Sequence, residues 1–253
     1  MALIIDKKDK VATVTIDRAP VNAITLAIYE EIAETFEASA SWNDINCIVF
    51  TAVGQKAFCA GLDLNEFLAA TVEEDPARAK IIRRCFSAVR HAAVPVIAAV
   101  NGPALGAGCV LASVCDVRIA SENATFGMPE INVGRCGGAA HMGRHLPQGL
   151  LRKMYFTGRP IDAREAWRIG FVQDVVPFED LARTAQELAA IVAAKAPIGL
   201  RMAKEALNKV EFMQTEEGYE LEQGYSTKLM ATEDAREATR AVVEKRAPVW
   251  VGR

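Results

Sequence analysis

The chain has 253 residues, about half of them apolar (51%) and about a quarter charged (24%), with a formal net charge of −3. That balance belongs to a globular protein and gives no basic face for a nucleic-acid partner. No apolar run reaches the ~20 residues that a bilayer crossing needs. The opening M-A-L-I-I-D-K-K-D-K turns polar after five residues, so it reads as no signal peptide. The six cysteines form no C-x-x-C and sit mostly in apolar runs, which predicts reduced thiols used as small hydrophobes in a cytoplasmic protein.

In chain order, Val11–Ile16 (V-A-T-V-T-I) alternates apolar residues with Thr and predicts a strand. Asp17-Arg18-Ala19-Pro20 breaks it, and Asn22 is a candidate cap for a helix carrying Leu26, Ile28, Tyr29, Ile32, Ala33 and Phe36 at helical spacing. Ile45–Thr51 predicts a strand buried on both faces. A Gly-containing loop, A-F-C-A-G-L-D, runs from it into a helix start near Asp63. A polar stretch, Thr71–Asp75, precedes a helix over Ala77–His91. Val96–Val100 is a buried strand that passes through N-G-P-A-L-G-A-G into a helix.

Cys115–Ala120 predicts another strand, Ala124–Gly127 a short extended piece before Met128-Pro129-Glu130, and Gly134–Gly138 a flexible loop. Helical patterns follow over Leu150–Phe156 and Ala163–Ile169, then a short strand over Phe171–Val176. From there only helices are predicted: Glu179–Lys195, Pro197–Val210, Thr215–Met230 and Thr232–Lys245. Strands alternating with helices and then ceasing predict an α/β core with an α-helical C-terminal part.

Standard chemical signatures are missing. His141 and His145 are spaced i, i+4 but lack the glutamate of H-E-x-x-H, so no metal site is assigned. There is no G-x-S-x-G elbow, no phosphate-binding G-x-x-x-x-G-K-[ST] loop and no G-x-G-x-x-G after a strand. Two strand-to-helix turns remain, near residues 60 and 105. Each reads equally well as close helix–strand packing; together they can supply two convergent backbone N–H donors to a carbonyl oxygen.

At this point the chain resembles a known family. The segments D-R-A-P-V-N-A, K-A-F-C-A-G-L-D-L, V-I-A-A-V-N-G-P-A-L-G-A-G-C, F-G-M-P-E-I-N-V-G and the tail V-V-E-K-R-A-P-V-W-V-G-R follow the order and spacing of the crotonase (enoyl-CoA hydratase/isomerase) superfamily. The tail is similar to that of its carnitinyl-CoA dehydratases. The resemblance implies a spiral core of strand-strand-helix units over residues 1–195, holding the acyl-CoA site, and a helical oligomerisation region over residues 196–253. It implies homotrimers or dimers of trimers. Coenzyme A would arrive as part of the substrate, with no separate cofactor.

Carried onto this chain, the resemblance assigns the two carbonyl-polarising N–H groups to Leu62 and Ala107 and the acid/base to Glu130. It places Ala60, Asp63, Leu64 and Asn65 beside the coenzyme A moiety, with Arg18 and Lys56 as candidates for its phosphates. Hydratases of the family carry a second glutamate directly after the Gly-rich turn; here that position is Val110, which cannot move a proton. One carboxylate suffices to shift a proton between Cα and Cγ of a 3-enoyl thioester, whereas hydration divides its work between two. The expected activity is therefore isomerase-like, with single-glutamate hydration and a non-catalytic acyl-CoA-binding homologue as alternatives. The loop R-C-G-G-A-A-H-M-G-R-H-L-P is one residue longer than its counterparts, and Arg135, His141 and Arg144 either meet a polar acyl group or face solvent.

Overall fold

A computed structural model describes residues 1–253. Its main sheet has six strands in the order β1-β2-β3-β4-β6-β9, with β1 (Leu3–Lys8) antiparallel to β2 (Val11–Ile16). The remaining neighbours, β3 (Cys47–Ala52), β4 (Val96–Val100), β6 (Val117–Ser121) and β9 (Asp174–Val176), run parallel. Parallel strands need crossovers, and helices supply them. They are α1 (Leu26–Ala38), α2 (Leu64–Ala69), α3 (Asp75–Arg90) and α4 (Ala107–Val114).

β3 and β4 are buried on both faces, for a packing reason visible in the core. Ile48, Phe50, Val96 and Ala98 point into the large cluster shared with Ile32, Phe36 and Val89 of α1 and α3. The alternate residues Val49, Ile97 and Ala99 meet Leu181, Ala185 and Ala189 of a helix on the other side.

A second, three-stranded sheet stands beside the first. Its strands are β5 (Ala104–Leu105), β7 (Thr125–Gly127) and β8 (Ile161–Asp162). Isolated parallel bridges Ile24–Leu62 and Cys59–Ala104 extend the same row. Each turn of chain thus adds a strand to one layer and a short bridge to the other, before a helix returns outside. A 3-10 turn, Pro129–Val133, follows β7. The rest is helical: α5 (Ala139–Met142), α6 (Gln148–Thr157), α7 (Ala163–Arg168), α8 (Phe178–Ala193), α9 (Pro197–Val210), α10 (Thr215–Met230) and α11 (Glu233–Glu244).

Leu3–Lys8 forms a strand at the sheet edge, where an exposed face accepts Asp and Lys. Two expectations are corrected. Asn22 does not cap α1. It adopts a left-handed conformation (φ 53°), and its amide donates to the carbonyls of Ala57 (2.9 Å) and Val53 (3.2 Å). Glu66 of α2 instead accepts the Leu26 N–H at 2.9 Å, a carboxylate at a helix N-terminus. The last strand begins at Asp174, not Phe171. The N–H groups of Phe171 and Val172 go to Ala166 and the Phe171 carbonyl to Arg118, leaving nothing for a ladder.

Candidate active site

Two turns meet. The first, Ala60-Gly61-Leu62, is held by the Gly61 carbonyl accepting the Ile24 N–H (2.8 Å) and by the Asp63 N–H donating to Ile24 (2.9 Å). The Leu62 N–H between them takes part in no hydrogen bond of that backbone set. The second turn leaves β5 with the Gly106 N–H bonded to Gly127 (2.9 Å) and enters α4 at Ala107. As the first helical residue, Ala107 has an N–H without an intrahelical acceptor; the first helical bond is Val110 N–H to Gly106 at 3.0 Å.

Glycine is required where these turns touch. Gly61 (φ 98°) and Gly106 (φ 53°, ψ −118°) hold conformations that L side chains resist. A Cβ built on Gly61 would stand 3.8 Å from the Ala107 nitrogen, and one on Gly106 would stand 3.0 Å from Glu130 Oε1. The two turns and the Glu130 carboxyl therefore meet in one small volume. Gly108 serves packing: a Cβ there would lie 2.2 Å from the Cys59 carbonyl oxygen.

Glu130 sits in the 3-10 turn, half-buried, and its Oε2 has no hydrogen-bond partner. Burial raises its pKa above the ordinary glutamate range. Val110, only 2% exposed, packs beside it, and Gly138 closes against Val110 and Met128. Buried Cys109 keeps its thiol proton because burial, and then the Glu130 charge, disfavour the thiolate. It is no nucleophile here.

These groups open onto a cavity of about 480 Å³. Of the residues singled out from sequence, Ala60, Leu62, Leu64, Ala107, Val110, Glu130, Arg135 and His141 line it. Arg18, Lys56, Asp63 and Asn65 do not. Arg18 pairs with Asp63 at 2.7 Å and donates to the Ala23 carbonyl, while Asp63 caps α2 by accepting from Asn65 and Glu66 N–H. Lys56 and Asn65 are exposed outside the cavity. Arg135 bonds Asp75 (3.0 Å) and stacks on Phe67 (4.3 Å), drawing the 3-10 turn's following loop across to α3.

His141 and His145 part company. His141 lines the cavity, with its basicity lowered by burial and then by Arg144 and Arg90. His145 faces the Ser113 carbonyl (2.9 Å), and no group of three metal-binding side chains is present. Arg144 bonds Glu211 and stays away from the cavity lining. Sequence reasoning passed over Tyr29 and Phe86 as helix core. They are core, yet their ends also line the cavity, and only the sheet-to-helix packing reveals that second role. Arg78 and Ile82, one α3 turn apart, line it for the same reason.

A spiral of strand-strand-helix units, with two Gly-built turns converging on one carboxyl, defines the crotonase fold class. Comparisons agree: a family profile described as enoyl-CoA hydratase/isomerase matches residues 6–253. The chain belongs to this enoyl-CoA hydratase/isomerase family. It is 37% identical over 259 residues to the 2,3-dehydroadipyl-CoA hydratase of Escherichia coli, covering 99% of each chain. It is 37% identical over 238 residues to a (7aS)-7a-methyl-1,5-dioxo-2,3,5,6,7,7a-hexahydro-1H-indene-carboxyl-CoA hydrolase of Mycobacterium tuberculosis, covering 93% of this chain and 95% of that one. A crystal structure of enoyl-CoA hydratase from Bacillus anthracis superposes with a TM-score of 0.96 at 32% identity, covering 100% of both chains. The protein is an acyl-CoA-processing enzyme of the hydratase/isomerase type. No helix is long and apolar enough to cross a membrane.

Proposed function

We propose that the enzyme moves a proton along the acyl chain of a coenzyme A thioester, using Glu130 alone. The thioester oxygen sits between the Leu62 and Ala107 N–H groups. The Glu130 carboxylate takes the α-proton of a 3-enoyl thioester, and the electron pair delocalises into a dienolate whose charge the two N–H groups stabilise. The resulting Glu130 acid returns that proton at Cγ, giving the 2-enoyl thioester and the original carboxylate. The observation that carries this reading is a shortage of acids. Asp75 and Glu130 are the only carboxyls lining the cavity, and Asp75 is engaged by Arg135.

Incubation with a 3-enoyl-CoA tests it: absorbance of the conjugated thioester should grow, and Glu130→Gln should abolish the growth while thioester binding persists. Full activity in that variant overturns the reading. The E. coli relative's name favours a second reading, hydration of a 2-enoyl thioester by the same glutamate. Loss of conjugated absorbance from a 2-enoyl-CoA, without a 3-enoyl product, would select it. Thioester binding with no turnover of any acyl-CoA would select a binding protein instead.

The remaining assignments belong to the same reading. Arg18, Lys56, Asp63 and Asn65 flank the path of the coenzyme A moiety outside the cavity, which needs no separate cofactor. The core is residues 1–195, and residues 196–253 form a homotrimer or dimer of trimers. Exposed Leu207 (63%), Met230 (72%) and Val242 (79%) on α9 to α11 support that assembly, which light scattering with size exclusion would test. Free, mostly buried thiols fit a cytoplasmic setting.

A further inference from the structure

Tyr29 is the residue of the cavity that the proposed chemistry does not use. It projects from α1, is only 1% exposed, and lines the same cavity as Glu130. Its ring packs edge-on against Phe86, with centroids 6.0 Å apart at 83°. Phe86 in turn meets the His141 ring edge-on at 5.5 Å. No protein group hydrogen-bonds the Tyr29 hydroxyl; burial and neighbouring charges alone act on it. A hydroxyl at the wall of a cavity with no protein partner is free to bond a group that a ligand brings.

The surroundings say which partner. The groups acting on the phenol are Cys59, Cys85, Glu130 and Glu66; the arginines that line the same cavity are Arg78, Arg83 and Arg135. A carboxylate placed beside the phenol would face Glu130 while Arg78 and Arg135 are already drawn to Glu66 and Asp75. A neutral oxygen would not. The phenol keeps its proton at all ordinary pH values, since burial holds its pKa well above the usual tyrosine range. It is therefore a standing donor.

Resting on the acyl-CoA reading above, we propose that the Tyr29 hydroxyl donates a hydrogen bond to a neutral oxygen carried by the acyl chain. The preferred substrates are then oxo- or hydroxyacyl thioesters rather than plain alkyl or terminal-carboxylate ones. Tyr29 is a specificity-determining residue for that oxygen, and Phe86 fixes its ring.

The test is a binding matrix. Dissociation constants of wild type and Tyr29→Phe are measured by calorimetry for hexanoyl-CoA, its 4-oxo, 5-oxo and 5-hydroxy analogues, and adipyl-CoA. Wild type should prefer at least one oxo or hydroxy analogue over hexanoyl-CoA by about three- to tenfold, the reach of one net hydrogen bond. Tyr29→Phe should erase that ratio, and its melting temperature should stay within a degree or so of wild type because the lost hydroxyl has no protein partner. An oxygen preference that survives in Tyr29→Phe, equal binding of all analogues by wild type, or tightest binding of adipyl-CoA overturns the assignment and leaves the acyl-CoA reading intact. Failure of wild type to bind any of the thioesters overturns both.

Discussion

Two regions of the molecule bury charge, and they treat it in opposite ways. Between the end of α4 and the sheet, Arg118 is 4% exposed, and its guanidinium donates to the carbonyls of Phe171, Cys115 (2.7 Å) and Ala112 (3.4 Å) while lying 5.2 Å from the Phe171 ring centroid. Burial still lowers its pKa, to about 10, yet it remains a cation at neutral pH. Nearby Lys204 of α9, also 4% exposed, donates to the Val94 carbonyl (3.0 Å) and Asp116 (2.8 Å), tying α9 to the core. In front of the sheet, Glu130 Oε2 is buried with no partner at all. A buried charge surrounded by acceptors holds a fold together. One left without partners is a cost that only a ligand or a reaction explains.

The sharpest way to break this contrast is Glu130→Gln. Turnover should fall by about 10²–10⁴-fold, the usual contribution of a positioned acid/base. The same variant should be more stable than wild type at neutral and alkaline pH. The sign follows from burial raising the folded-state pKa. The group's contribution to stability is complete below its unfolded-state value and is lost as pH rises through the folded one. The variant's advantage in melting temperature should therefore appear above that window and vanish in acid; a constant advantage at all pH values would contradict it. Likewise the rate should have an acid limb that rises through the raised pKa, since the base must be ionised.

Arg118→Met tests the other side. It strips donors from the Phe171, Cys115 and Ala112 carbonyls, and denaturant unfolding should show a loss of roughly 2–4 kcal/mol. At low denaturant its turnover should stay close to wild type, because no atom of Arg118 reaches the cavity lining. A smaller effect is expected from Gly108→Ala, which must push α4 away from the Cys59 carbonyl. We expect roughly 1–3 kcal/mol of destabilisation, with a reduced rate because the Ala107 N–H moves with the helix. The smallest is Arg135→Ala. Its ion pair with Asp75 is nearly half exposed on both sides, so stability should change by at most about 1 kcal/mol. Its signature would be a change in the salt dependence of substrate association.

Much of this was legible in the residues. The doubly buried β3 and β4 announce themselves as unbroken apolar runs, and α1 and α3 by their spacing. Glu130, Leu62 and Ala107 were singled out because their segments keep a family's order, not because spacing alone demanded it; Glu130 follows Pro129 in a sequence that reads equally well as surface. What stayed hidden depends on pairing between distant segments. The edge strand β1 has no apolar face of its own to read. Asn22 looks like a cap until the Val53 and Ala57 carbonyls are seen across from it. Arg18 and Asp63 each look free for a ligand until they are found bonded to each other. Tyr29 obeys the helical period of a core residue, and no periodicity tells that its last atom ends at a cavity.

A ladder of only two register pairs sets the molecule's finest tolerance. β5 and β7 share two register pairs, Ala104 with Phe126 and Leu105 with Gly127. Ala107 follows β5 after Gly106, and Glu130 lies three residues beyond β7. Ala107 and Glu130, the donor and acid of the proposed reaction, are thus indexed to each other by one pairing. A slip of a single residue would translate one against the other by about 3.3 Å and turn the strand's side chains to the opposite face. That displacement is larger than a hydrogen bond is long, so no partially aligned form of the site could keep a fraction of the activity. The side chain at position 110 lies outside this alignment, in the body of α4. A change of chemistry there leaves the gauge between donor and acid untouched.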